Sequence, residues 1–147
     1  MAKIRPMQQT EDIPVFGNGK IEYNPQMIER PNNKIETTSE GKRTEIMGGE
    51  SKGYKKTYTQ WYPKTLLNFK TERGLHPTQK PVALFEYLIL TYTNPGDLVL
   101  DNCAGSGTTA IACLNTGRKY ILIEKEEKYY KIIMDRIEQE TRNPRLC

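Results

Sequence analysis

The chain has 147 residues, of which 36% are hydrophobic and 27% charged, with a formal charge of +4. That length is one ordinary domain's worth and excludes two large independent cores. No apolar run approaches the roughly eighteen residues of a membrane span, and MAKIRPMQQTED has no apolar stretch behind Lys3 and Arg5 to make a targeting signal. A soluble, cytoplasmic protein without membrane contact is therefore expected. Cys103, Cys113 and Cys147 form neither a CxxC pair nor an even set, so the expectation is reduced thiols and no metal site. The charge is uneven: residues 1–75 hold 13 basic and 9 acidic residues, and residues 76–147 hold 9 of each. A local excess of that kind suits a polyanion such as nucleic acid.

In chain order, EDIPVFGNGKIEYNP (11–25) predicts two short strands around a Gly17-Asn18-Gly19 turn. Pro14 makes the first an edge or bulged strand. Pro31 to Lys56 is mostly polar, with Gly48, Gly49 and Gly53, and reads as a long mobile loop. Tyr54, Tyr58, Trp61, Tyr62 and Phe69 then interleave with Lys55, Lys56, Lys64 and Lys70. Such a mixture can stack on bases and pair with phosphates, although Trp61 and Phe69 are expected to form the small core of a loop-rich basic lobe. Lys42, Arg43, Lys52, Lys55 and Lys56 are the candidate phosphate contacts.

The second half is more regular. PVALFEYLILTYT (81–93) predicts a buried helix opening on Pro81 and ended by Asn94-Pro95-Gly96. LVL (98–100) reads as a short strand of a parallel sheet, residues 107–116 as a helix stopped by Gly117, and KYILIEK (119–125) as the next strand. A last amphipathic helix runs from Glu126 to about Thr141, with Tyr129, Ile133 and Ile137 on one stripe. Helix, strand, helix, strand, helix specifies an α/β layer with parallel neighbours.

At the carboxyl end of such a strand, a sharp turn into a helix aims backbone N–H groups and the positive helix end at one crevice. Gly105 and Gly107 keep side chains out of that approach, and Ala110 completes a G-x-G-x-x-A pattern. Glu124 follows at the end of the next strand, where a carboxylate accepts hydrogen bonds from ribose hydroxyls. The pattern alone also describes a tight turn with no ligand. With strand, helix and acid all at the required distances, two ligand classes lead: a dinucleotide or S-adenosylmethionine. Asp101, the first residue past the strand, favours the second, because a carboxylate attracts a cationic amino group and repels a pyrophosphate.

HPTQKPVALFEYLI, LVLDNCAGSGTTAIAC and KYILIEKEEKYYKIIMDRI, over residues 76–140, resemble the cofactor-binding half of amino-directed (adenine-N6 or cytosine-N4) DNA methyltransferases. More narrowly, they resemble the permuted subgroup whose catalytic motif precedes the recognition region. The resemblance implies a partial Rossmann-like S-adenosylmethionine-dependent methyltransferase fold, an α/β fold with an incomplete parallel sheet and a loop-rich basic N-terminal lobe. Residues 1–75 would be a partial target-recognition, DNA-binding region and residues 76–147 the cofactor half-domain. Asp101, Asn102, Cys103 and the Gly105-Ser106-Gly107-Thr108 turn would contact the methionine part of S-adenosylmethionine. Glu124, with Lys125 beside it, would hold its ribose, and Thr78, Gln79 and Lys80 its carboxylate side. Asn102 and Cys103 depart from the proline and phenylalanine usual after the aspartate, which implies weaker packing on the cofactor. Cys103 itself is expected to be a buried, inert thiol.

The family's catalytic motif, an Asp, Asn or Ser followed by two prolines and an aromatic, holds a base rotated out of the duplex. None of the nine prolines here adjoins another. YNPQM (23–27) and RNPRL (142–146) read as turns, and His76 as a turn residue. No catalytic residue is assigned. The expected substrate is double-stranded DNA, adenine N6 favoured, with a second polypeptide carrying the motif. A non-catalytic accessory subunit or decayed remnant is the alternative, and a dinucleotide-binding oxidoreductase fragment stands behind both. Strand 98–100 would have a bare apolar edge, to be covered by residues 13–16 or by another polypeptide.

Overall fold

The structure, a computed structural model, describes residues 10–37, 41–42, 50–51, 55–72 and 74–142. In chain order these form β1 (Ile28–Thr37), β2 (Gly41–Lys42), β3 (Glu50–Ser51), β4 (Lys55–Trp61), α1 (Val82–Tyr92), β5 (Leu98–Asp101), α2 (Thr108–Thr116), β6 (Lys119–Leu122) and α3 (Glu127–Arg142). The parallel pair expected around the glycine turn is present, with β5 and β6 in register from Leu98 opposite Lys119 to Asp101 opposite Leu122. Helix α2 is the crossover such a pair requires.

Helices α1 and α2 lie on one face of this sheet. Val82 and Ile89 of α1 pack with Ile111, Ala112 and Cys113 of α2, and Phe85, Val99 and Tyr120 close the cluster. Each fully buried aliphatic side chain there is worth about 1.5–3 kcal/mol. Helix α1 is less enclosed than its apolar sequence predicts. Leu84, Tyr87 and Leu88 line a cleft of about 1090 Å³ whose other walls include Ile13, Leu66 and Phe69.

Caps set the helix limits. Pro81, before α1, offers no side-chain cap; instead the Glu72 carboxylate accepts the Val82 N–H at 3.1 Å. Helix α2 runs between Gly107 and Gly117, both left-handed, a conformation glycine adopts without steric cost. The buried Arg118 joins the carboxyl ends of α1 and α2, donating to the carbonyls of Thr93 at 2.8 Å and Thr116 at 2.5 Å and to the Thr93 hydroxyl at 3.1 Å. A cation is well placed against two such helix ends.

Two expectations for the first half are corrected. Residues 11–25 form no hairpin; Gly17, Asn18 and Gly19 belong to an extended run with a bend at 18–20. That run follows α1, whose two ends supply its partners. Glu11 pairs with Lys80 at 2.5 Å, the Asn24 N–H donates to the Thr91 carbonyl at 2.7 Å, and Tyr23 meets Tyr92 with ring centres 6.2 Å apart. The stretch expected as a long loop takes in most of β1, which pairs antiparallel with β4 from Ile28 opposite Trp61 to Thr37 opposite Lys55. The register shifts between Glu29 and Lys34, so Pro31 falls in a bulge and removes no ladder bond. β-branched and aromatic residues of β4 favour the strand, but its polar neighbours hide the alternation that would announce it.

Among the described residues β5 pairs with β6 alone, and residues 13–16 add no strand beside it. On the sheet face opposite α1 and α2, Leu98, Leu100, Ile121 and Ile123 are 58, 62, 49 and 54% exposed. Parallel sheets are ordinarily covered on both faces.

Candidate functional site

The site grows from the carboxyl ends of the two parallel strands. Because Asp101 pairs opposite Leu122, Glu124 arrives beside the turn that follows β5. The Asp101 carboxylate organises that turn, with Oδ1 accepting the Cys103 N–H at 3.0 Å and Oδ2 the Thr109 hydroxyl at 2.5 Å. The Ala104 N–H donates to the Ile123 carbonyl at 3.1 Å, and Gly107 closes a tight turn onto the Ala104 carbonyl at 2.8 Å. Gly105 and Gly107 have φ of 55° and 79°, and only glycine takes such angles routinely.

Glu124 is gripped by backbone on both oxygens. Oε1 accepts the Glu126 N–H at 2.8 Å and Oε2 the Gly105 N–H at 2.7 Å. The Glu126 amide is the main cause holding this carboxyl below its ordinary range, with Gly105, Lys125 and the His76 charge adding to it against an opposing effect of burial. Hydrogen bonds to a carboxylate favour its ionised form. Each oxygen keeps a lone pair for a further donor.

The loop before α1 joins the same site. The Thr108 hydroxyl donates to the Lys80 carbonyl at 3.3 Å, tying the 78–80 stretch to the glycine turn. Within that stretch the Thr78 N–H donates to His76 Nδ1 at 3.2 Å, the Gln79 N–H to the His76 carbonyl at 3.2 Å, and the Leu75 N–H to Gln79 Oε1 at 3.2 Å. Lys80 meets Glu11 across the surface. His76 is a turn residue, as its sequence position predicts, and more: its ring lies 4.3 Å from that of Tyr129. A methyl group on Gly105 would stand 3.6 Å from that imidazole.

The expected residues thus divide by surroundings. Asp101, Gly105 and Glu124 converge, and Thr78, Gln79 and Lys80 are joined to them through Thr108. Ser106, Gly107 and Thr108 are buried and act on the turn's shape. The Ser106 carbonyl accepts Arg136 Nη1 at 2.6 Å, and the Ile133 side chain sits 3.0 Å from where a Gly107 methyl would be. Asn102, Cys103 and Lys125 are exposed. Cys103 is therefore not the buried thiol expected; the turn carries it outward, past the end of β5. Cys113 is the buried one, and burial pushes its thiol up to about 11. Phe69 packs on Tyr87 with ring centres 6.0 Å apart, in line with a core role, whereas Trp61 is 43% exposed. Of the candidate phosphate contacts, Lys42 lies in β2 and Lys55 and Lys56 in β4 by backbone, their side chains being outside the described residues, as are Arg43 and Lys52 altogether. Residues 23–27, expected as a turn, form neither turn nor bend and instead anchor on the end of α1, the Asn24 carboxamide donating to the Thr93 carbonyl at 3.1 Å. The turn expected at 142–146 lies outside the described residues beyond Arg142.

Arg136 and Glu72 were not singled out by sequence reasoning. Arg136 gave a signal: it is a charge three residues after Ile133, inside the apolar stripe of α3. Burial pulls its guanidinium below the usual arginine value, while the charges of Glu72 and Glu140 oppose that shift. Glu72 gave none, because its partners lie on α1 and α3. Among the described residues no group of three or more His, Cys, Asp or Glu could hold a metal ion. Nor, among these residues, is any helix long and apolar enough to cross a membrane.

An ionised acceptor with spare lone pairs beside a side-chain-free turn and a second carboxylate suits a ligand that is hydroxylated and carries positive charge. The model of a family described as DNA methylase, acting at N6 or N4, matches residues 1–135. The chain is 48% identical over 67 residues to type II methyltransferase M2.DpnII of Streptococcus pneumoniae, covering 46% of this chain and 25% of that protein. It is 49% identical over 63 residues to DNA adenine methyltransferase YhdJ of Escherichia coli (strain K12), covering 43% and 21%. The chain thus spans about a quarter of the length of these curated relatives. A crystal structure of an M1.HpyAVI–SAM complex shares 43% identity over 51% of this chain and 41% of that one, with a TM-score of 0.45. With the family model matching most of its length, this chain belongs to the N6/N4 DNA methylase family.

Proposed function

We propose that this chain supplies cofactor binding and target recognition to a site-specific DNA methyltransferase of the permuted subgroup. Its methyl donor is S-adenosylmethionine and its favoured target adenine N6. Residues 76–147 are the cofactor half and residues 1–75 part of the recognition region, acting on double-stranded DNA in the cytoplasm. The reading rests chiefly on the Glu124 carboxylate, fixed by the Gly105 and Glu126 amides over the turn that follows Asp101.

The residues present fit that cofactor. Glu124 offers spare lone pairs to two ribose hydroxyls, and Gly105 takes the left-handed backbone that shapes the turn beside it. Asp101 sets a negative charge at the cationic methionine end, and Asn102, Cys103 and the backbone of Ser106, Gly107 and Thr108 line its approach. Lys80, with Thr78 and Gln79, stands on the side of the ligand's carboxylate. Its surface pair with Glu11 is worth about 0–1 kcal/mol, so exchanging one carboxylate partner for another costs little. The bound cofactor supplies an electrophilic methyl group. This chain's part is to orient it, with Lys125 beside Glu124 on the ribose side, and, through Lys42, Arg43, Lys52, Lys55 and Lys56, to meet DNA phosphates.

The Asp-Pro-Pro-aromatic motif that would hold the target base's amino group is lacking. A second polypeptide carrying it is proposed to assemble on the uncovered edge and face of the β5–β6 sheet. That surface gives the proposal its physical motive. The lack of the motif equally favours a non-catalytic accessory subunit, so two measurements are needed. Calorimetric titration should show S-adenosylhomocysteine binding and no NAD binding. Glu124→Gln should weaken S-adenosylhomocysteine binding about tenfold or more, as removing a charge-assisted hydrogen bond does. Because the Glu124 carboxyl lies below its ordinary value, affinity should stay level from neutral pH down to about 4.3, the usual glutamate value, and fall only below it. Methyl transfer to DNA should be absent with the chain alone and appear on adding a polypeptide that bears the motif; continued inactivity would favour the accessory reading.

A further inference from the structure

Away from the glycine turn, the end of the β1–β4 ribbon carries a second cavity, of about 290 Å³, lined by Ile28, Trp61, Tyr62 and Lys64. Ile28 and Trp61 are cross-strand partners, which fixes the indole at the ribbon's end. Arg30 holds the indole from one side, its guanidinium carbon 5.0 Å from the ring centre and its Nε donating to the Gln60 carbonyl at 3.2 Å. Trp61 nevertheless remains 43% exposed and Tyr62 71%. Two open aromatic rings, an aliphatic floor and two cations make an arrangement that recognises one flat ring joined to an anion. The volume falls just below the range of about 300–1,000 Å³ for small-molecule sites, enough for one base and not for a dinucleotide. Lys64 also lines the larger cleft that Thr78, Gln79 and Lys80 border. The small cavity therefore opens beside the approach to the cofactor loop.

We infer that Trp61, Tyr62 and Ile28 form a stacking site for a single unstacked nucleotide of the DNA, with Lys64 and Arg30 on its phosphate. This rests on the DNA-directed reading above. Stacking on an aromatic ring is sequence-tolerant and is worth enough per base to change affinity at least about fivefold. The excess of positive charge in residues 1–75, 13 basic against 9 acidic, favours a nucleic acid over an acid-poor protein segment as the occupant.

Trp61 is the sole tryptophan of the chain, so its fluorescence reports the site directly. The full chain is titrated with a single-stranded oligonucleotide, with a fully paired duplex, and with that duplex carrying one mismatched pair, while anisotropy of labelled DNA follows binding independently. The expected result is saturable quenching of Trp61, strongest with the single strand and the mismatched duplex. Tyr62→Ala and Lys64→Ala should each weaken binding of those two probes about fivefold or more, and Tyr62→Phe should restore it. DNA binding without a change in Trp61 emission overturns the proposal, as does the lack of DNA binding by either measurement. Emission that changes with protein concentration alone overturns it in favour of self-association. Calorimetry with S-adenosylhomocysteine on the same preparation keeps these failures separate from failure of the cofactor reading.

Discussion

Gly105 and Gly107 stand two residues apart in one turn and share the left-handed backbone, yet a methyl group would meet different surroundings at each. At Gly105 it would rest 3.6 Å from the His76 ring, an ordinary contact; at Gly107 it would stand 3.0 Å from Ile133 Cγ1 and 3.4 Å from its Cβ. Gly105→Ala should therefore cost only the left-handed strain, about 1–2 kcal/mol. Gly107→Ala adds an overpacking cost and should reach about 2–4 kcal/mol; urea unfolding of the two variants measures the difference. The cysteines give a second contrast. Cys103 is exposed, whereas burial holds the Cys113 thiol at about 11. Since the thiolate is the reactive form, Cys103 should be alkylated near neutral pH and protected by S-adenosylhomocysteine. Cys113 should react only after denaturation, as peptide mapping will show.

At the scale of elements, two arginines, Arg118 buried and Arg136 half-buried, do different work. Arg118 closes the carboxyl ends of α1 and α2, remote from the glycine turn. Arg118→Met removes its bonds to Thr93 and Thr116 and should lower stability by about 2–3 kcal/mol, leaving S-adenosylhomocysteine affinity unchanged. Arg136 instead joins α3 to the Ser106 carbonyl, and with Ile133 it clamps the peptide planes of the turn. Arg136→Met should weaken S-adenosylhomocysteine binding several-fold, with Arg136→Lys recovering part of it. Equal effects of the Arg118 and Arg136 substitutions on affinity would contradict this division. Helix α3, which reads as an ordinary amphipathic helix, thus sets the geometry of a loop about 30 residues before it.

For the whole molecule the uncovered sheet face dominates. A two-stranded parallel sheet with Leu98, Leu100, Ile121 and Ile123 bare is a surface that soluble proteins cover. The chain alone should bind a hydrophobic dye and associate as its concentration rises. Leu98→Lys with Ile121→Lys should reduce both and abolish complementation by a motif-bearing polypeptide, while cofactor affinity persists. A monodisperse, stable monomer that binds no dye would argue against a missing partner.

The order of motifs and the elements from α1 to α3 were legible in the sequence because their signals are local. A proline opens α1, left-handed glycines bound α2, apolar runs mark β5 and β6, and a four-residue stripe marks α3. Asp101 and Glu124 were legible as neighbours because Asp101 ends one strand of a parallel pair, rather than following it as expected, and Glu124 lies just past the end of the other. The β1–β4 ribbon was hidden, since polar residues interrupt Ile28, Ile35, Tyr58 and Trp61 and leave no regular alternation to read. Only the tertiary structure decided that Glu72 caps α1, that Arg118 and Arg136 tie helix ends and turn, that His76 lies against Gly105, and that residues 13–16 leave the sheet uncovered. Each of these depends on groups brought together from distant parts of the chain, a proximity that folding creates and no local spacing encodes.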